Sequence, residues 1–318
     1  MFENMKITTL IDNLTYGKNF VGEHGLSILI ENDKKKILFD TGQSGNFIKN
    51  ANLLGIDISD IDSVVISHGH YDHCGGIMEF VKYNKKAKIY IKKEAFYNKY
   101  KIKKYNGEKI DTENAVTKDI DTENIDTKDI DINYVGINDI NNEKKAKEDE
   151  VKEFIGIPFN KSLIEERIVY TDNELFISDN INIISNIKIY DEFDTHFEGM
   201  FVEIDGKIYQ DEFYDEQFLV INHNDRLILI SGCSHRGISN IVRNAINKYK
   251  LPIDYLIGGF HLMNENQIKV EKTINLLNGL NIKNIGVSHC SGIESLALIK
   301  SLIKTNLFYN YTGNIIVI

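Results

Sequence analysis

The sequence has no tryptophan, two prolines and only three cysteines in 318 residues. Three is an odd number, and each cysteine stands near a histidine: Cys74 follows His73, Cys233 precedes His235, and Cys290 follows His289. They are not the framework of a disulfide-stapled domain. Basic charge is also short, with 37 Lys and Arg against 47 Asp and Glu and a formal net charge of −10. That balance argues against nucleic acid or an anionic membrane as partner. No apolar run approaches the ~20 residues of a membrane span, and Met1-Phe2-Glu3-Asn4-Met5-Lys6 lacks a basic stretch followed by an apolar one. A cytoplasmic protein is the expectation. The lack of Trp and Pro accompanies a surplus of Asn, Lys and Ile, a bias that belongs to a genome, so single Lys or Asn residues carry little functional weight. Hydrophobic residues make up 42% of the chain, enough for a substantial core.

What the chain does have is a dense set of ligand-type side chains. Residues 67–76 read Ser-His-Gly-His-Tyr-Asp-His-Cys-Gly-Gly, placing His68, His70, Asp72 and His73 within six consecutive positions. The β-branched run Ser63-Val64-Val65-Ile66 before them reads as a buried strand. Ile77, Met78, Phe80 and Val81 after them repeat at helical spacing. The four polar residues therefore lie on a loop between a strand's C-terminal end and a helix, where open α/β architectures place their chemistry. Neutral imidazoles with a carboxylate suit zinc, iron or manganese. In an extended segment residues two apart point the same way, so His68 and His70 can grip one ion. Asp72 and His73, past a turn, can reach a second. A polar loop whose histidines merely hydrogen-bond is a poor account of four such residues so close together.

Strand, loop and helix recur after Ile66, Ser231, Ile257 and Val287, each time with polar residues just past the strand. Hairpins early in the chain, with βα units in both halves, predict an α/β fold: a four-layer αββα sandwich with two sheets back to back and helices outside. Residues 159–201 are expected to give short strands and a loop over the site entrance. A single domain, residues 1–318, is interrupted at about 105–150. There Ile-Asp-Thr-Glu-Asn occurs at Ile110 and Ile120, and Thr-Lys-Asp-Ile-Asp at Thr117 and Thr127. This low-complexity insertion is expected to be flexible and free of chemistry. Its carboxylates lack the Asp-x-Asp-x-Asp-Gly pattern of a calcium loop.

His68-Gly69-His70-Tyr71-Asp72-His73 resembles the signature of the metallo-β-lactamase fold superfamily, and Ile37-Leu38-Phe39-Asp40-Thr41-Gly42 resembles its first motif. Glu23-His24-Gly25-Leu26-Ser27, Asp215-Glu216-Gln217, Ser231-Gly232-Cys233-Ser234-His235-Arg236-Gly237, Gly258-Gly259-Phe260-His261 and Ser288-His289-Cys290-Ser291-Gly292 are similar to a narrower subgroup, the 7,8-dihydropterin-6-methyl-4-(β-D-ribofuranosyl)aminobenzene-5'-phosphate synthases. The resemblance spans nearly the whole chain outside the insertion. It implies that His289 and His235 complete the metal ligands begun by His68, His70, Asp72 and His73. Asp72 and Asp40 are the catalytic carboxylates it implies, Asp40 by orienting the signature loop. Where the superfamily has an aspartate bridging two metals, this chain has Cys233 or its neighbours. Cys233 is then a ligand or, as expected here, a packing neighbour, and the metal count is one or two. Asp215 and Glu216 stand near the place of another superfamily histidine ligand; a ligand, a partner of a histidine and a turn acid are all open. Arg236, at the start of a predicted helix, is a candidate for a substrate phosphate. His261 and His24 are candidates for the substrate pocket, whereas His196 and His223 lack motif context and are expected to be surface or structural.

The resemblance implies a metal-dependent enzyme with one or two divalent ions, zinc first and iron or manganese next, acting on a phosphorylated small molecule. An ion lowers the pKa of a bound water from ~15.7 to ~7, which serves hydrolysis. In the synthase-type reaction the metals would instead hold a departing diphosphate. The alternatives are a metallohydrolase of a phosphodiester, lactone or thioester, and a non-catalytic metal-binding sensor. An oxidoreductase like the flavodiiron proteins is disfavoured, since those have Glu where His70 stands. The repeat cannot bury enough apolar surface to offset about 1–2 kcal/mol per ordered residue. Replacing residues 110–133 with a short Gly/Ser linker should therefore leave Tm and metal content nearly unchanged. Calorimetry and metal analysis check this, and a collapse of either would show that the segment packs on the body.

Overall fold

The computed structural model describes residues 5–32, 35–104 and 150–318. The predicted insertion, apart from Glu150, lies outside the described residues, as do the first four residues of the chain. Two seven-stranded sheets form the centre. From edge to edge the first runs Ile315–Val317, Lys6–Ile11, Ser27–Glu31, Lys36–Phe39, Ser63–Val65, Lys88–Ile91 and Ile168–Tyr170. The second runs Asn306–Tyr309, Ile282–Ser288, Ile253–Gly259, Arg226–Ser231, Phe218–His223, Ile181–Ile184 and Glu174–Ser178.

Strand alternation builds the layers. In the first sheet Ile28, Ile30, Ile37 and Phe39 face inward, against Leu219, Ile221, Ile228 and Ile230 of the second. The residues between them, Leu29 and Leu38, face outward onto Phe47, Ile77 and Phe80 of the helices Asn46–Leu53 and Ile77–Tyr83. In the second sheet Leu227 and Leu229 face outward onto the helices Ile238–Tyr249 and Gln267–Asn278. A period of two along each strand sorts residues between these faces. Ile238, Ile241, Val242 and Ala245, at helical spacing, are the buried stripe of their helix. The result is the expected αββα sandwich.

Each sheet is antiparallel on one side and parallel on the other. Lys36–Phe39, Ser63–Val65, Lys88–Ile91 and Ile168–Tyr170 run parallel in the first sheet. Arg226–Ser231, Ile253–Gly259, Ile282–Ser288 and Asn306–Tyr309 do so in the second. Asp40, His68, Cys233, His261 and His289 all follow the C-terminal ends of parallel strands.

A third sheet, antiparallel throughout, is ordered Lys207–Gln210, Met200–Ile204, Asn98–Lys104 and Glu150–Phe154. Sequence patterning missed it because strands such as Asn-Lys-Tyr-Lys-Ile-Lys-Lys at Asn98–Lys104 carry too few apolar residues to alternate. It brings Ile155, Met200 and Phe213 against Tyr71 of the signature loop, and Tyr71 N–H donates to the Ile155 carbonyl at 3.0 Å.

The strand ends lie too close for side chains at some positions. A Cβ on Gly258, at φ +143°, would stand 2.2 Å from the Ser231 carbonyl oxygen. One on Gly55, at φ +69°, would meet nothing within 4 Å. Gly55→Ala strains only its own backbone, whereas Gly258→Ala must push two strands apart. Thermal denaturation should show a clearly larger loss for Gly258→Ala, and equal midpoints would mean that the strand ends shift freely.

Candidate metal centre

The strand ends deliver their polar residues through unusual backbone. Asp40 (φ 58°), Ser234 (62°), His261 (50°) and His289 (48°) are in the left-handed region, which costs a non-glycine residue of order 1–3 kcal/mol and recurs at functional sites. These turns let several short loops aim at one place.

His68, His70 and His235 form the first cluster. All three are buried, and ligand nitrogens of the three lie within 4.8 Å of one another. Each leaves its Nε2 buried without a hydrogen-bond partner, although such a group costs about 1–3 kcal/mol. Burial pushes His70 down to about 3 and His68 and His235 well below the usual histidine range, with neighbouring imidazoles adding to the effect for the last two. The neutral ring is the form that binds metal. Three orphaned nitrogens in one spot fit a cation.

Asp72, His73, His289 and His24 form the second cluster. Asp72 Oδ2 lies 3.2 Å from His289 Nε2, 3.2 Å from His24 Nε2 and 3.7 Å from His73 Nε2. Burial alone would raise the Asp72 carboxyl, but His73, His24 and His289 hold it well below the usual range. Cys233 Sγ stands 3.1 Å from His73 Nε2.

The rings are oriented from behind. Asp40 is fully buried; its Oδ1 accepts from Ser67 N at 2.7 Å, and its Oδ2 accepts from Ser67 Oγ at 2.7 Å and His73 Nδ1 at 2.6 Å. Burial opposes charge on His73, yet Asp40 and Asp72 push it up to about 9. Having donated to Asp40, Ser67 Oγ accepts from His68 Nδ1 at 2.9 Å. Asn13 Oδ1 accepts from His289 Nδ1 at 2.8 Å and from Gly25 N at 3.2 Å. Each contact turns Nε2 of its ring toward the cluster. Asn13 and Ser67 were not predicted as site residues; the signal for Asn13 was a polar pair, Asp12-Asn13, closing the first strand.

Asp215 and Glu216 belong to neither cluster. Asp215 Oδ2 accepts from Gly69 N at 2.7 Å, and its Oδ1 accepts from the buried Lys99 ammonium at 2.9 Å. Lys99 also donates to Asp211 at 2.6 Å. Glu216 accepts from His235 N at 2.6 Å and Arg236 N at 2.8 Å. Both carboxylates hold the backbone of loops that carry the clustered histidines. Phe213, whose ring stacks on His235 with centroids 3.7 Å apart, was not foreseen either.

One expectation requires correction. Arg236 does not present its guanidinium to a phosphate: Nε donates to the Ile187 carbonyl at 3.0 Å, an Nη donates to the Glu212 carbonyl, and the group lies over Tyr214. Of the two places expected for His196, surface or structural, the structure gives it the second. It is buried, its Nδ1 is 2.9 Å from Glu265 and its ring is 4.7 Å from His261, which in turn lies 4.4 Å from His235. His261 thus lines the first cluster, and His24, placed with the pocket by sequence, reaches Asp72 directly.

Comparisons with known proteins point to the same fold. The family model of the metallo-beta-lactamase superfamily matches residues 21–153. Two proteins of Methanocaldococcus jannaschii align over almost the whole chain. The uncharacterized protein MJ0448 is 29% identical over 311 residues, covering 98% of this chain and 99% of its own. The 7,8-dihydropterin-6-methyl-4-(beta-D-ribofuranosyl)-aminobenzene-5'-phosphate synthase is 28% identical over 331 residues, covering 99% of this chain and 97% of its own. Among solved structures, Tm1679, described as a metal-dependent hydrolase of the beta-lactamase superfamily, superposes with a TM-score of 0.72 at 25% identity over 98% of both chains. The metallo-beta-lactamase fold protein YhfI from Bacillus subtilis does so at 0.52 and 11% identity over 99% of both.

The Lys99 ammonium donates to two buried carboxylates at once. Lys99→Met should destabilise the protein by about 3–5 kcal/mol, the cost of uncompensated buried charge. Urea unfolding measures it, and a change within about 0.5 kcal/mol, the level of an ordinary surface substitution, would show that the triad carries no stability.

Proposed function

Because the chain has the metallo-β-lactamase fold and that superfamily's signature loop, we propose that it is a metal-dependent enzyme acting on a phosphorylated small molecule, in a transfer reaction like that of the dihydropterin-methyl ribofuranosylaminobenzene phosphate synthase. The observation that carries the metal is the trio of buried, unpartnered Nε2 atoms on His68, His70 and His235. The substrate class is supported by the alignment with the synthase along both full lengths.

His68, His70 and His235 would hold one divalent ion, and Asp72, His73 and His289 a second; zinc suits this nitrogen and oxygen set best. Such ions polarise phosphoryl oxygens and offset charge on a leaving diphosphate. The protein's own part is to fix geometry beforehand. Asp40 and Ser67 set the tilt of His68 and His73, Asn13 sets His289, and Glu216 holds the backbone that carries His235. Asp72 is the sole carboxylate in either cluster among the described residues, and Asp40 is a positioning residue one bond network behind it. Phe213 covers one face of His235 and keeps water from it. Among the described residues no helix is long and apolar enough to cross a membrane. A cytoplasmic setting also accords with the unpaired state of all three cysteines.

A second reading, hydrolysis of a phosphodiester, lactone or thioester, is favoured by the description of Tm1679 as a metal-dependent hydrolase. Metal analysis of the purified protein, followed by assays of pterin-methyl diphosphates with an arylamine acceptor and of simple phosphoesters, separates the two. Coupling with release of diphosphate supports the first, and hydrolysis alone replaces it with the second. Metal-free protein that takes up no divalent ion would remove both. His70→Ala and Asp72→Ala should each lose metal and activity while keeping the circular dichroism spectrum of the parent. Full metal occupancy in either variant would overturn the ligand assignment.

A further inference from the structure

Among the described residues four histidines bury an Nε2 that has no hydrogen-bond partner: His68, His70, His235 and His196. The first three meet in the first cluster, whereas His196 enters no group of three potential metal ligands. Its orphaned nitrogen therefore awaits a partner other than an ion. Leaving such an atom unmet costs about 1–3 kcal/mol, and the ring is held so that it cannot turn to relieve it.

The hold comes from behind the ring. The His196 side chain is 2% exposed, and its Nδ1 stands 2.9 Å from Glu265 Oε1. The Lys269 ammonium donates to the same oxygen at 2.8 Å and to the Thr195 carbonyl at 2.9 Å. The hydrogen bond from His196, and then that from Lys269, hold the Glu265 carboxyl down to about 2. An ionised carboxylate only accepts, so the 2.9 Å contact places the ring proton on Nδ1. Lys269, itself 3.0 Å from Nδ1, already balances the Glu265 charge and leaves the ring that single proton. Nε2 keeps a bare lone pair. Two residues earlier, Asp194 accepts from Ser239 N at 2.8 Å and from Thr273 Oγ1 at 2.6 Å, tying the segment to the helices Ile238–Tyr249 and Gln267–Asn278.

The place is equally specific. His196 N–H donates to the His235 carbonyl at 2.8 Å, and the His196 carbonyl accepts from His235 Nδ1 at 3.4 Å. The half-buried His261 ring is 4.7 Å from the His196 ring and 4.4 Å from that of His235. A group resting on His196 would thus lie beside a residue of the first cluster. A lone pair repels an anion, so a phosphate is the wrong tenant, and an N–H or O–H donor is the right one.

We propose that His196, structural in its backbone contacts, is also a substrate-binding residue: its Nε2 accepts a hydrogen bond from an uncharged N–H or O–H group of the substrate, and Glu265 positions the ring for it. The inference rests on the enzyme reading above; in the transfer reaction that group is the amine of the acceptor.

Long-range nitrogen-15 NMR of the full-length, zinc-loaded protein reads this ring directly, with His196 assigned by its loss in His196→Gln. The parent should show the proton on Nδ1 and a bare Nε2. Aniline should shift the Nε2 signal saturably, and inorganic phosphate should not. His196→Phe should weaken aniline binding about fivefold, the worth of one neutral hydrogen bond, and in the coupling assay should raise KM for the amine more than it lowers kcat. Glu265→Gln alters a side chain that is partly exposed. It should let Lys269 donate to Nδ1, move the ring proton to Nε2 and abolish the aniline shift. A proton on Nε2 in the parent, a shift with phosphate, or no shift with aniline would overturn the inference and leave His196 structural only. A parent that couples the amine while Nε2 ignores aniline removes this inference alone, whereas a parent that only hydrolyses phosphoesters removes the transfer reading.

Discussion

One carboxylate without access to water organises the centre. Asp40 takes three hydrogen bonds, from the backbone and side chain of Ser67 and from the His73 ring. Through Ser67 it also sets the His68 ring, so one anion fixes one histidine in each cluster. Such a group is costly to bury and becomes tolerable only when every lone pair is used. The left-handed turn at Asp40, the parallel pairing of Lys36–Phe39 with Ser63–Val65 and the absence of a side chain at Gly232, where a Cβ would stand 2.2 Å from Ser67 Oγ, all serve that closeness.

The same logic is repeated in the second half of the chain with different parts. Glu216 there grips two successive N–H groups of the loop bearing His235, and Asp12 accepts from His289 N at 2.6 Å. Glu216 holds a loop of its own sheet, whereas Asp12, at a strand end of the first sheet, holds a loop of the second. The candidate metal centre lies where strand ends of both sheets meet, and backbone contacts that fold together with the core hold its loops.

What was legible in the sequence was what is locally periodic or locally dense. Arg226–Ser231, Lys88–Ile91 and the helix Ile238–Tyr249 follow from alternation or helical spacing of apolar residues. His68, His70, Asp72 and His73 were legible as candidate ligands because they crowd six positions. Features decided by distant partners were hidden. Lys99 is one lysine among many until folding sets it between Asp211 and Asp215. Arg236 heads its helix as expected, but carbonyls of Ile187 and Glu212 claim the guanidinium. His196 has no motif around it and gains its place from Glu265, 69 positions away. Asp215 and Glu216 stand in a conspicuous triplet, yet only the backbone they grasp tells anchor from ligand.

The third sheet gives the chain a place to grow. Its strands Asn98–Lys104 and Glu150–Phe154 pair antiparallel, with Lys104 opposite Glu150, the two residues on either side of residues 105–149. Closing a loop between fixed ends costs only about 0.6 kcal/mol more for each doubling of its length. With Lys104 and Glu150 pinned opposite each other, a change in the number of residues between them need not shift the register of either strand. That ladder separates the length of the gene at this point from the pairing of the strands on either side of it.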